Sequence, residues 1–101
     1  MFKVTQNDKG RAENERGVVI EFPNRYSLEY RIESKKLLFF QETDEIVGGT
    51  YYVHLPEKLN WGPPHENESI TTEEVETVKR DIAEAIKILC PNSKGTEFIY
   101  K

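Results

Sequence analysis

Apolar residues follow two different periods along this chain, one typical of strands and one typical of a helix. From Tyr26 to Ile32 every second residue is apolar, which indicates a half-buried strand. Residues 37–41 are apolar on both faces, so we place that strand centrally in the sheet, partly under a helix. Further β-branched and aromatic segments predict strands at 2–5, 17–22, 51–55 and 96–100. We expect the polar segment from Gln6 to Arg16 to be a loop.

The helical period is confined to residues 72–89. Thr71 followed by Glu74 is a capping-box pattern, and Pro91 ends the helix because proline disfavours helical geometry in the residue before it. Apolar residues then recur at steps of three and four, and form one face of the helix: Val75, Val78, Ile82, Ala85, Ile86 and Leu89. We expect the opposite, solvent-facing side to carry Lys79, Arg80, Asp81, Glu84 and Lys87.

These elements predict one α+β domain over residues 1–101. Short connections between the middle strands favour an antiparallel meander of about five to six strands. A C-terminal amphipathic helix should pack on one face of the sheet, and a final short strand should follow it. Residues 56–70 have no period and hold three of the five prolines, so we expect a long crossover there.

Size and composition limit the class of protein. The chain has 101 residues, 37% hydrophobic and 32% charged, which is sufficient for a single soluble core. No apolar segment reaches the length of a membrane span or a signal-peptide core. The lone Cys90 cannot form an internal disulfide. We therefore expect a cytoplasmic protein that does not bind membranes.

The net charge of −4 is unevenly distributed. Residues 42–76 contain nine acidic residues against Lys58 alone, whereas the remainder of the chain is net positive. A concentrated acidic surface can steer and hold a cationic partner. Trp61, in a Pro-rich loop, could anchor such a contact or could be buried as a plug that holds the crossover to the core. Helix capping and simple solvation also explain these acids.

Catalytic and metal chemistry have little support in the sequence. His54 and His65 could form a general acid/base pair, as in metal-free ribonucleases, but no Lys or Arg adjoins either as a phosphate clamp. The segment from His65 to Glu68 offers metal-binding atoms at a spacing that matches no helix-based zinc motif. Cys90 ends a helix, where negative potential disfavours a thiolate. We expect no enzyme activity, metal or cofactor.

Nucleic acid is also an unfavourable partner. Strand aromatics such as Phe39, Phe40, Tyr51 and Tyr52 could stack on single-stranded bases, but binding nucleic acid requires a basic field. Here the aromatic region adjoins the acidic block, and no glycine-rich phosphate loop is present. We therefore interpret these aromatics as core residues.

The order of motifs from residue 51 to residue 89 resembles the immunity protein 74 family. The resemblance lies in Trp61 with Pro63-Pro64, an acidic connector to Ile70, and a helix opened by Thr71-Thr72-Glu73-Glu74 that continues through Asp81-Ile82 and Ala85-Ile86. These are small bacterial proteins encoded beside polymorphic or contact-dependent toxins. The resemblance implies a non-enzymatic inhibitor that binds the C-terminal domain of its cognate toxin, often a nuclease.

The charge pattern agrees with that implication, because a nuclease presents a basic cleft to phosphates and carboxylates can occupy it. We expect a monomer that binds this basic partner, and a homodimer through the exposed strand 96–100 is the alternative. The candidate partner-binding residues are Glu42, Asp44, Glu45, Trp61, His65, Glu66 and Glu68.

Overall fold

Seven strands form one sheet in which every strand lies beside the next one in the chain. The computed structural model describes residues 1–6, 10–24, 26–43, 49–56, 59–68 and 70–100. Strands and helix are β1 (Lys3–Gln6), β2 (Arg11–Glu13), β3 (Val18–Asn24), β4 (Ser27–Ile32), β5 (Lys35–Thr43), β6 (Thr50–Leu55), α1 (Thr72–Leu89) and β7 (Gly95–Tyr100).

The first six strands form an antiparallel meander, and β7 lies parallel to β6. This change of direction follows from the connection, because the chain returns through the crossover and α1 before it forms β7. The predicted α+β class, with one helix on one face and a final short strand, is confirmed.

Helix α1 has the predicted bounds, and its N-terminus has the predicted capping box. Thr71 Oγ1 accepts a hydrogen bond from the backbone N–H of Glu74, and the Glu74 carboxylate accepts one from the backbone N–H of Thr71. After Leu89 the cap residue Cys90 leaves helical geometry, with its N–H still bonded to the Ile86 carbonyl. Among the described residues, no helix is long and apolar enough to cross a membrane.

One face of the sheet, which we call the inner face, packs against α1. Alternate residues from β2 to β6 fill this layer, and register explains why: Ala12 pairs with Ile20, Ile20 with Tyr30, and Tyr30 with Leu37. The buried core comprises Phe2, Ala12, Val18, Ile20, Leu28, Tyr30, Leu37, Phe39, Val53, Leu55, Trp61, Val78, Ile82, Ala85 and Ile86.

The opposite face, which we call the outer face, is open to solvent along β5. Leu37, Phe39 and Gln41 are buried on the inner face, whereas Leu38 is 66% exposed and Phe40 46% exposed. β5 does lie between two other strands, as predicted. Its second apolar side nevertheless stays exposed, so the interpretation of Phe40 as a core residue is wrong.

Two further sequence predictions are wrong in detail. The segment Gln6 to Arg16 is not all loop, because Arg11–Glu13 forms β2 and Ala12 is fully buried. Three residues are too few to display a period in sequence; pairing with β3 is what extends them. Residues 7–9 of that predicted loop lie outside the described residues.

The second error concerns Asp81, which the helical period assigned to the solvent side. Its side chain is buried, with 1% exposure. Asp81 lies about 40° beyond Ala85 around the helix, at the edge of the apolar stripe. Tyr30 on the inner face of the sheet and Arg16 in the β2–β3 turn supply polar partners there, so a carboxylate is retained at a buried position.

Candidate functional site

A cleft of about 420 Å³ lies between the first turns of α1 and the hairpin that joins β4 to β5. Its walls come from four separate parts of the chain: the β2–β3 turn, the β4–β5 hairpin, the crossover and the helix. The lining residues are Arg16, Tyr30, Ile32, Glu33, Lys35, Trp61, Thr71, Glu73, Glu74, Thr77 and Val78. A site of this composition is invisible in the linear sequence because it exists only where these segments meet.

The turn between β2 and β3 places Arg16 in the wall of the cleft. Asn14 organises the turn, because its side-chain oxygen accepts hydrogen bonds from the backbone N–H groups of Arg16 and Val18, both at 3.0 Å. Gly17 completes it with φ of +82°, a left-handed conformation that glycine adopts without strain. Arg16 then forms an ion pair with the buried Asp81 carboxylate.

Asp81 connects three elements behind the cleft. One carboxylate oxygen accepts from Arg16, and the other accepts from the hydroxyl of Tyr30 at 2.9 Å. A buried carboxylate needs such partners, because desolvation disfavours its charge. Burial and the hydrogen bond to Asp81 together raise the pKa of Tyr30 above its usual value. The helix, the β2–β3 turn and β4 are thereby held together at the back of the cleft.

The β4–β5 hairpin places one acid and one base at the mouth of the cleft. Glu33 occupies the tight turn with φ of +55°, and Lys35 follows it as the first residue of β5. Lys35 Nζ lies 3.0 Å from Glu68 Oε1 and 5.5 Å from the centre of the Trp61 ring. Lys35 therefore bridges the hairpin to the crossover.

The Lys35 ammonium group contacts one carboxylate and is affected by the charges of others. Its pKa is raised mainly by the hydrogen bond to Glu68, and further by the negative charges of Glu68, Glu74 and Glu33. The reverse effect lowers the pKa of Glu68, through its contacts with Lys35 and His65. Glu73 lines the same cleft. One ammonium group thus lies among several carboxylates, and the mouth of the cleft keeps an excess of negative charge.

His65 is part of the same cluster. Its Nδ1 contacts the Glu68 carboxylate, and its Nε2 forms a 2.8 Å hydrogen bond with Ser34 Oγ in the hairpin. Gly62 reinforces the connection, because its N–H donates to the Lys36 carbonyl at 2.8 Å. The structure therefore brings two of the predicted site residues, His65 and Glu68, together at the hairpin. Glu66 is exposed on the same crossover.

Trp61 is a core residue. It is 4% exposed and packs in the hydrophobic cluster, so the interpretation as a plug that holds the crossover to the core is the one observed, and the alternative of an exposed anchor is wrong. Its indole N–H has no hydrogen-bond partner among the described residues. The ring contributes to the wall of the cleft and stabilises the crossover, but it does not project from the surface.

Glu42 does not join this cluster. It lies on the outer face near the far end of β5, seven residues along the strand from Lys35, where its carboxylate accepts a 2.9 Å hydrogen bond from His54 Nε2. Asp44 and Glu45 lie outside the described residues. The acidic block predicted as one surface is therefore divided: Glu42 is on the outer face beside His54, and Glu68 is at the opposite end of β5 beside Lys35.

The two histidines likewise have separate surroundings. His54 contacts Glu42 and the Phe40 ring, whose centre is 5.0 Å away, on the outer face. His65 contacts Ser34 and Glu68 at the hairpin. The geometry gives a His54–His65 acid/base pair no support. Among the described residues, no group of three or more His, Cys, Asp and Glu side chains could hold a metal ion.

The sequence analysis did not single out Arg16, Glu33 or Lys35, which line the cleft, or Asp81, which lies behind it. Arg16 and Glu33 stand in turns, where no periodicity marks them. Asp81 did leave a signal, because it lies three residues after Val78 and four before Ala85, which are both buried.

Comparisons with known proteins identified no relative of this chain. No family model, curated protein or solved structure matches this chain.

Proposed function

We propose that this chain is a non-catalytic inhibitor that binds the basic C-terminal domain of a cognate bacterial toxin in the cytoplasm and blocks it by stoichiometric occlusion. The proposal rests on the resemblance of residues 51–89 to the immunity protein 74 family. It rests equally on the carboxylates gathered at the mouth of the cleft.

The single observation that carries the proposal is the setting of Lys35. Glu68 contacts its ammonium group directly, and Glu33 and Glu74 act on it through space. Among the described residues, no ion pair involves Glu33, Glu66 or Glu73, so these charges remain available to a partner. An incoming cationic side chain would meet preplaced carboxylates and would share them with Lys35.

The division of the acidic block changes the expected contacts. Glu33, Glu73 and Glu74 join Glu66 and Glu68 as the binding residues, and Glu42 on the outer face is removed from that surface. Trp61 supports the surface from beneath. We keep His65 as a neighbour of the contact, because it holds Glu68 against the hairpin.

Binding of this kind has a recognisable physical signature. Negative potential at the cleft should accelerate association with a basic toxin domain, and the acceleration should fall as salt screens it. Inhibition should saturate at one inhibitor per toxin, because occlusion involves no turnover. A toxin nuclease with a basic phosphate-binding cleft is the partner whose charge fits best.

The test takes the C-terminal domain encoded by the neighbouring open reading frame as the candidate toxin domain. Co-expression should protect cells, and the purified pair should form a 1:1 complex whose affinity falls with salt. The reversal pair Glu33→Lys and Glu73→Lys should weaken the complex by about tenfold or more, mostly through slower association. Glu97→Lys, an exposed reversal on β7, is the matched control and should leave the affinity unchanged. A complex that is indifferent to the cleft reversals would refute the proposed surface, and failure of the neighbouring domain to bind would refute the proposed function.

A further inference from the structure

The outer face of the sheet carries an exposed apolar cluster. Leu38 and Phe40 project from β5, and the Phe40 ring is in edge contact with Tyr26 at 6.4 Å and in tilted contact with His54 at 5.0 Å. Ile99 on β7 extends the cluster, because it pairs with His54 and lies on the same face. Exposed apolar side chains that adjoin one another across several strands mark an interaction surface.

Charges border the exposed residues of β5 in a definite order. Every second residue faces outward, and the resulting row reads Lys36, Leu38, Phe40, Glu42. A cation therefore stands at one end and an anion at the other, about 20 Å apart for six residues of extended strand. Among the described residues, Lys36 forms no ion pair, and Glu42 forms one with the imidazole of His54.

Such a row is complementary to itself. Consider a two-fold axis in the plane of contact, perpendicular to β5 and level with Phe39. Rotation about this axis places the β5 of a second copy antiparallel over the first. Leu38 of one copy then meets Phe40 of the other, and Lys36 meets Glu42 at both ends. Each contact occurs twice in a two-fold interface, so the Lys36–Glu42 ion pair forms at both ends.

We infer that two copies of this chain dimerise face to face through the outer surface of their sheets, with the Lys36–Leu38–Phe40–Glu42 row of β5 at the two-fold axis. The inferred contact differs from the edge-to-edge pairing of β7, because it uses side chains of the sheet face and leaves backbone edges free. The cleft lies on the helix side, so both clefts of the dimer stay accessible.

Sedimentation velocity and equilibrium measurements on the intact chain test this inference. We expect a concentration-dependent dimer. Lys36→Glu and Glu42→Lys should each weaken dimerisation by about tenfold or more, because each places like charges together at two points of the interface. The exchange variant Lys36→Glu/Glu42→Lys restores opposite charges and should recover the dimer. Leu38→Ser should weaken it without touching the core.

Three results would overturn the inference. The first is a chain that remains monomeric up to about 1 mM, the weak end of specific association. The second is a dimer that survives both single reversals, which would indicate another contact such as the β7 edge. The third is an exchange variant that fails to recover. The far-ultraviolet circular dichroism spectrum of each variant verifies the fold, and the substituted side chains are solvent-exposed, so we expect folded variants throughout.

Discussion

The hydroxyl of Tyr30, in the middle of the sheet, donates a 2.9 Å hydrogen bond to the carboxylate of Asp81 on the helix, and both side chains are buried. Arg16 contacts the other oxygen of the same carboxylate from the β2–β3 turn. A polar link inside an apolar layer is satisfied in only one arrangement of the elements. The link therefore fixes how α1 sits on the sheet, and with it the geometry of the cleft.

Removing either side of this link should destabilise the fold. We expect Tyr30→Phe to lower the free energy of unfolding by about 1–3 kcal/mol, because a buried charge loses a hydrogen bond. Asp81→Asn should cost a similar amount, since Arg16 is partly exposed and can turn to water. Urea denaturation measures both effects. The double variant should cost less than the sum of the two, because the residues share one interaction.

Glu84→Gln is the matched control for Asp81→Asn, because it neutralises another helix carboxylate that is only half-buried. Its effect should stay within about 0.5 kcal/mol. Equal losses for Glu84→Gln and Asp81→Asn would contradict a special role for Asp81.

Stability should decline at alkaline pH because of two phenols, the buried Tyr30 and the half-buried Tyr51. Burial and a hydrogen bond with Cys90 raise the pKa of Tyr51 to about 12, and the pKa of Tyr30 is also raised. A phenol whose pKa is higher in the folded state stabilises the fold fully below its unfolded pKa of about 10 and loses that contribution as pH rises through the folded pKa. The urea concentration at the unfolding midpoint should therefore decrease as the pH rises from about 10 to about 12.

Tyr51→Phe isolates one part of this effect. The variant keeps the ring that packs against Phe22 but cannot ionise, so its urea midpoint should fall less steeply above pH 10 than that of the wild type. Parallel slopes for the two proteins would exclude Tyr51 as a contributor.

The fluorescence of Trp61 reports directly on the crossover. Because Trp61 is the only tryptophan and is 4% exposed, its emission should be blue-shifted in the folded chain and poorly quenched by iodide. Trp61→Ala should cost about 3–5 kcal/mol through lost packing. Quenching as strong in the folded as in the urea-unfolded protein would show that the indole is exposed, contrary to the structure.

Helix α1 and strand β5 differ in how much of their structure could be predicted from the sequence. The bounds of α1 were predictable because its cap, its apolar period and its terminating proline are all local signals within one segment. For β5 the alternation of side chains was equally readable, yet no local feature indicated that Leu38 and Phe40 would stay uncovered. Cover depends on where α1 packs, and one helix can shield only one face of the sheet.

The acidic block shows the same limit for function. The number of its charges could be counted along the chain, but their positions in the fold could not. Successive side chains of a strand point to opposite faces, and the sequence does not show which strand end a crossover reaches. Glu42 was thereby separated from Glu68, and Glu33 was brought to Glu74 from a distant turn.

The α+β class, the helix, most strands and the negative net charge could be predicted from the amino-acid sequence, because each depends on neighbouring residues and their periods. The burial of Trp61, the burial of Asp81 beside Tyr30 and Arg16, and the meeting of the carboxylates at a cleft became visible only in the folded chain. Those outcomes depend on contacts between residues far apart in the chain, where burial and partner geometry outweigh any local preference.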